Sequence, residues 1–147
     1  LLLEGPERRA LGKTLEIGAG CGYQAAVLAM LTRELYAVER IEALLSRARK
    51  HLAQLRMAHV RFKHADGNMG LTEAAPFDSI IVAAAAPRVP QTLLDQLSPG
   101  GRLVLPVGGM SNGEQMITLI ERKATGGGFT ETRFDAVRFV PMVVGIE

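Results

Sequence analysis

Three glycines at alternate positions, Gly18, Gly20 and Gly22, cut into an apolar run, Thr14-Leu15-Glu16-Ile17. The helix-compatible Ala25-Ala26-Val27-Leu28-Ala29-Met30 follows at once. Strand, glycine turn and helix in that order let a backbone approach a nucleotide-like ligand closely. A Cβ at those positions blocks the approach or forbids the φ the turn needs. No other stretch constrains the fold as strongly.

The segments that follow fit the same plan. Residues 13–17 read as a buried first strand and residues 23–32 as a helix. Leu35-Tyr36-Ala37-Val38 is a second strand, closed by Glu39-Arg40. Ile41, Leu44, Leu45, Ala48, Leu52 and Leu55 recur at helical spacing. Val60-Arg61-Phe62-Lys63-His64 alternates with period two as a third strand. Phe77 to Ala83 is β-branched and apolar enough to be a central strand. Gln91 to Leu97 reads as a short helix stopped by Ser98-Pro99-Gly100-Gly101, and Arg102 to Val107 as a fifth strand. Met116–Arg122 and Phe129–Val140 are strand-like runs joined by Thr125-Gly126-Gly127-Gly128, which predicts an antiparallel hairpin. The expected fold is therefore α/β: a doubly wound, mostly parallel sheet of about seven strands, ending in that hairpin, in a single domain over residues 1–147.

In such a sheet ligands bind beyond the carboxyl ends of the strands, beside the first one. Three acids fall there: Glu16, Glu39 and Asp66. Glu39 lies seventeen residues after Gly22, near the spacing at which a carboxylate accepts from both ribose hydroxyls. Asp66 is placed to accept from an exocyclic amine such as that of adenine. Glu16 can attract an ammonium or sulfonium group.

The spacing of the turn separates the cofactors. The dinucleotide fingerprint G-x-G-x-x-G places its third glycine one position later, where this chain has Tyr23. No lysine follows as in a phosphate-binding P-loop. Gly-x-Gly-x-Gly with an acid two residues before it suits a ligand without phosphates and with a positive charge, which S-adenosyl-L-methionine is. A nicotinamide-dependent oxidoreductase is the rival this spacing and the closing hairpin disfavour.

Bulk properties narrow the partners. Net charge is only +2, but residues 40 to 64 hold seven Arg or Lys against one acid, Glu42. That stretch reads as a solvated basic face before it reads as a surface for acidic partners. The single cysteine, Cys21, rules out an internal disulfide framework, fits a reducing compartment, and reads as a small turn residue rather than a nucleophile. His51, His59 and His64 lack metal-ligand spacing, so no metal is expected. No apolar run reaches the roughly eighteen residues of a membrane span. Leu1-Leu2-Leu3-Glu4-Gly5-Pro6 lacks an initiating Met and reads as the end of a helix stopped by Gly-Pro, so the chain is expected to be a piece of a longer protein.

Taken together, the motifs resemble the protein-L-isoaspartate (D-aspartate) O-methyltransferase family. The carriers are Leu15 to Ala26, Val38-Glu39-Arg40, Asp66-Gly67, Ala75 to Val82, Ala84-Ala85-Ala86-Pro87, Val89-Pro90, Leu97 to Gly108 and Val137-Arg138-Phe139-Val140-Pro141. The glycine turn is common among methyltransferases; the Ala-Ala-Ala-Pro stretch and the Arg-Phe-Val-Pro close are more specific. The resemblance implies S-adenosyl-L-methionine held by Gly18, Ala19, Gly20 and Gly22 with Glu16 nearby, by Glu39 and Arg40 at the ribose, and by Asp66 and Gly67 near the adenine. It implies a peptide site shaped by Ala84, Ala85, Pro87, Val140 and Pro141. The reaction implied is methylation of the α-carboxylate of L-isoaspartyl residues in damaged proteins, which starts repair through a succinimide. A cytoplasmic monomer without nucleic-acid or membrane partners is expected. The family's active-site serine belongs to a Ser-Gln-Pro-like motif N-terminal to this region, so no catalytic residue is assigned here. Ala83 stands where the family often has Thr. The alternative is a cofactor-holding fragment or inactive relative that binds S-adenosyl-L-methionine without turnover.

Overall fold

A computed structural model describes residues 11–57, 59–109 and 113–147. The expectation for Leu1 to Pro6 lies outside them. The apolar runs become seven strands of one sheet: β1 (Lys13–Ile17), β2 (Glu34–Glu39), β3 (Val60–His64), β4 (Phe77–Val82), β5 (Leu97–Gly108), β6 (Gln115–Arg122) and β7 (Phe129–Val137). Their order is β3-β2-β1-β4-β5-β6-β7, with β1 to β5 parallel and β6 and β7 antiparallel. Among the described residues three α-helices, α1 (Tyr23–Ala29), α2 (Glu42–Gln54) and α3 (Gln91–Asp95), pack on the sheet. The sheet is doubly wound, as its sequence predicts.

Alternation along β1 shows how one strand serves two cores. Leu15 and Ile17 join Phe77, Ile80, Leu93, Leu103 and Leu105 in one buried cluster. The opposite cluster gathers Ala25, Leu28, Leu35, Ala37 and Leu52, from α1, α2 and β2. Thr14 and Glu16 occupy the alternate positions of β1 and are also fully buried. The Thr14 hydroxyl is satisfied by the Leu11 carbonyl at 3.2 Å, which the Ser79 hydroxyl also reaches at 2.8 Å. Glu16 has no such partner.

The β3–β4 crossover is made of two 3₁₀ turns, Gly67–Met69 and Thr72–Ala74, with Gly70 at φ 61° between them. Three details depart from the sequence reading. Ser98-Pro99-Gly100-Gly101 does not separate α3 from the next strand; it is the irregular start of the twelve-residue β5. In α2 only Leu45, Ala48 and Leu52 are buried, and Leu55 is 56% exposed. The last strand-like run ends at Val137, and residues 138–147 leave the sheet.

The order of strands fixes where a ligand can sit. The chain winds from β1 outward to β3 and then returns to β4 on the other side of β1. That reversal opens a crevice beyond Ile17, Val38 and Val82, which are in register.

Candidate functional site

The glycine turn lies at this crevice. Gly22 caps α1 at φ 95°, and a Cβ there would meet Ala48 Cα and Leu52 Cδ1, both at 3.0 Å. The third glycine thus lets α1 lie against α2. Gly20, at φ 57°, has nothing within 4 Å of where its Cβ would point. Its N–H donates to Glu39 Oε2 at 2.8 Å, while Ile41 N–H donates to Oε1 at 3.0 Å. The Val38 carbonyl accepts from Gly18 and Ala19 at 2.9 and 3.2 Å. The ends of β1 and β2 therefore fix the turn before any ligand arrives. Each Glu39 oxygen keeps a lone pair beyond its single backbone bond.

A cavity of about 460 Å³ opens above, within the range of small-ligand sites. Gly18, Gly20, Glu39, Arg40 and Gly67 line it together with Ala83, Ala84, Val140 and Pro141. Ile17, Val38, Ile41, Leu44, Met142 and Val143 supply most of the apolar wall. Ile41 and Leu44 are counted in the sequence as helix-core positions; their helical spacing carried no signal that they face a cavity instead.

The remaining expected residues take other places. Ala19 is buried, and Ala85 is buried while bonding Val140 O through its N–H at 2.8 Å. Pro87 is exposed and does not line the cavity. His51 lies near Cys21, but its Nδ1 meets the Cys21 carbonyl oxygen, at 2.7 Å. Among the described residues no cluster of three His, Cys, Asp or Glu is placed to hold a metal ion.

Glu16 lies behind the turn rather than on the cavity wall. Both carboxylate oxygens are buried without a hydrogen-bond partner. Burial first, and the nearby Glu39 charge second, push its carboxyl up to about 7.

Residues 138–147 form a strap across the cavity. At one side Met142 N–H donates to Ala85 O at 2.8 Å, giving a short parallel bridge. At the other, Gly145 N–H donates to Asp66 Oδ2 at 2.9 Å, and Asp66 Oδ1 accepts from Asn68 N–H and Nδ2. Arg40 Nε donates to Gly145 O at 3.1 Å, and its guanidinium pairs with Glu147 at 3.1 Å. Burial raises the Asp66 carboxyl, but Gly145, Asn68 and the Arg40 charge outweigh it and hold the group below the usual range. Gln115, which the sequence reading passes over, anchors the strap's start by accepting Phe139 N–H at 2.7 Å.

The chain is similar in sequence and fold to known proteins of one family. Residues 7–147 match the model of the family described as protein-L-isoaspartate(D-aspartate) O-methyltransferase. The chain is 60% identical, over 147 residues, to the protein-L-isoaspartate O-methyltransferase of Dechloromonas aromatica, covering all of this chain and 65% of that protein. Among solved structures, a protein-L-isoaspartate O-methyltransferase superposes with a TM-score of 0.81 at 28% identity, over 92% of this chain and 44% of its own. A Plasmodium falciparum protein named as of the same class, solved in complex with S-adenosyl-L-homocysteine, gives 0.74 at 22% identity, over 89% and 65%. The chain thus spans less than two thirds of the length of these proteins.

Proposed function

The chain belongs to the protein-L-isoaspartate(D-aspartate) O-methyltransferase family, and from that premise we propose that its protein is an enzyme that uses S-adenosyl-L-methionine to methylate the α-carboxylate of L-isoaspartyl residues in damaged proteins. The observation that carries the reading is the cavity itself. It is lined by Gly18 and Gly20, whose turn Glu39 holds, and by Ala84, Val140 and Pro141.

The donor side fits a nucleoside ligand with a positive charge. Gly18 and Gly20 present backbone without side chains, and the space a Cβ would take at Gly20 is empty. In this reading Glu39 would offer lone pairs to the ribose hydroxyls with Arg40 beside it, and Gly67, which lines the cavity, would meet the adenine, with Asp66 next to it bonded to Asn68 and Gly145. Gly22 supports this side through helix packing, and Ala19 through its N–H to Val38. When bound, the donor supplies an activated methyl group.

The acceptor needs no strong base. A carboxylic acid has a pKa of about 4 and is already ionised and nucleophilic at neutral pH. The protein has to place that oxygen in line with the methyl group, and orientation of this kind contributes up to roughly 7–11 kcal/mol. Ala84, Ala85, Val140 and Pro141 would shape the peptide channel, with Pro87 at its exposed rim.

The partners are isoaspartyl-containing proteins and peptides, met by a cytoplasmic monomer rather than by a nucleic-acid or membrane-bound form. Among the described residues no helix is long and apolar enough to cross a membrane.

Calorimetric titration with S-adenosyl-L-homocysteine and separately with NAD, then a methylation assay on an isoaspartyl peptide, tests the reading. Homocysteine-nucleoside binding with methyl transfer is expected. Binding of NAD alone overturns the donor assignment, and donor binding without transfer leaves a cofactor-holding protein.

A further inference from the structure

His64 ends β3 beside the cavity, and the donor reading gives it no role. Its ring nitrogens meet only acceptors. Nε2 lies 2.9 Å from the Arg40 carbonyl oxygen and 3.0 Å from that of Glu147. Nδ1 lies 3.1 Å from Glu42 Oε2. A carbonyl has no proton to give, and neither has an ionised carboxylate, so each nitrogen has to donate. A neutral imidazole carries one N–H and turns a lone pair toward one of these oxygens. Only the imidazolium, with two N–H groups, serves both sides of the ring.

The three oxygens belong to separate parts of the cavity's surround. Arg40 lines the cavity, and Glu42 opens α2 directly after Ile41, which lines it too. Glu147 belongs to the strap that brings Met142 and Val143 into the wall. The backbone makes the same connection: Glu147 N–H donates to Arg40 O at 2.6 Å, and Glu42 N–H donates to Glu147 O at 2.9 Å. His64 thus lies where β2, β3, α2 and the strap meet.

We propose that His64 is a positioning residue of the cavity: as an imidazolium it clamps the strap at Glu147 to Arg40 and to the start of α2, and losing the Nδ1 proton loosens the strap and weakens ligand binding. The clamp stands on these contacts, and the identity of its ligand rests on the donor reading given above. The one bond broken is Nδ1–H, and the proton goes to bulk water.

The charges around the ring leave Glu42 as its counter-ion. On β2 the register partner Glu39 has its oxygens taken by Gly20 and Ile41. The Arg40 guanidinium is turned to Gly145 O and the Glu147 carboxylate. On β3 itself Lys63 pairs with Glu73, and beyond it Asp66 bonds Gly145 and Asn68. From α2 Arg49 reaches Glu42 Oε1 at 3.7 Å, which leaves Oε2 to the ring.

Glu42 is half exposed, so the clamp's effect on affinity is modest, about two- to fivefold. The contribution is present at low pH and lost as pH rises. Calorimetric titration of the full-length protein with S-adenosyl-L-homocysteine at pH 6 and pH 8.5 reads it against His64→Gln, whose side chain donates an N–H but carries no charge. The ratio of the two affinities should favour pH 6 about two- to fivefold more in the unsubstituted protein than in His64→Gln. Glu42→Gln should remove most of that difference. A merely structural histidine would lower affinity equally at both pH values. Imidazole ¹⁵N signals and amide exchange in the unsubstituted protein decide the point where a variant does not fold. Both His64 nitrogens should carry protons at pH 6, and protection of the Gly145 amide should fall as Nδ1 loses its own. Equal ratios in the unsubstituted protein and His64→Gln, or Gly145 protection that ignores the Nδ1 proton, overturn the clamp and leave the donor reading standing. No binding at either pH, with Gly145 protection still following the Nδ1 proton, overturns the donor reading and leaves the clamp.

Discussion

The two walls of the cavity are built in different ways. The turn wall closes through neighbours: Gly18 and Ala19 bond Val38, and Gly20 bonds Glu39 nineteen residues on. The strap wall closes through contacts between distant parts of the chain. Asp66 meets Gly145 across 79 residues and Arg40 meets Glu147 across 107. The turn is embedded in buried strands, whereas the strap exposes Val140, Val144 and Ile146. The first wall is a fixed platform and the second a cover fastened by polar bonds.

The largest expected break is in the platform. Gly22→Val forces a β-branched residue to φ 95° and drives its Cβ against the Ala48 backbone. A loss on the order of 3 kcal/mol, seen as a lower chemical-denaturation midpoint, is expected. Near-normal stability would mean the α1–α2 contact does not depend on that glycine.

Next comes pH. The Glu16 carboxyl is raised from an ordinary 4.5 to about 7, so the folded protein binds the extra proton between those values. Stability of the unliganded protein should therefore fall as pH rises from about 5 to 7.5, by up to ~3 kcal/mol, then level off. Glu16→Gln should flatten that slope and be the more stable form at pH 8. A slope of the opposite sign in urea denaturation would contradict the platform as described.

Glu39→Ala removes the acceptor of two backbone N–H groups and of the proposed ribose bonds. Affinity for S-adenosyl-L-homocysteine should drop at least about tenfold, or ~1.4 kcal/mol. Unchanged affinity would show that the turn stands without Glu39 and that the ribose assignment is wrong.

The smallest effect belongs to the cover. Asp66→Asn weakens the bond from Gly145 N–H while keeping side-chain volume, and should cost about two- to fivefold in binding with little change in global stability. Hydrogen exchange sharpens the contrast: the Gly145 amide should exchange faster than those of Gly18 and Ala19. Equal protection on both walls would erase the distinction.

Legibility follows the same division. The glycine turn, the alternating buried strands and Glu39 stand out because their partners lie within one βαβ unit, where period and spacing hold the information. Ile41 and Leu44 were hidden by their own regularity, since a helical stripe does not say which apolar surface covers it. The twelve-residue β5 was hidden by Pro99 and two glycines, which break most strands but here form an irregular start next to Phe77. The bond of Asp66 to Gly145 was not legible, because it depends on a strap whose course no local pattern encodes. Glu16 was expected to attract an ammonium or sulfonium group; that both of its oxygens are buried without a partner shows only in the packed structure.

The span of the strap's bonds also sets an order of events. Closing a loop of 107 residues carries a larger entropic cost than closing the short loops that fold the turn, and contacts of that range form late. A chain emerging from the ribosome would assemble the floor, with Gly18 to Gly22 and Glu39 in place, while the roof was still being synthesised. Ligand capture would then begin only once Gly145 and Glu147 had reached Asp66 and Arg40, so affinity would be acquired after the floor is built.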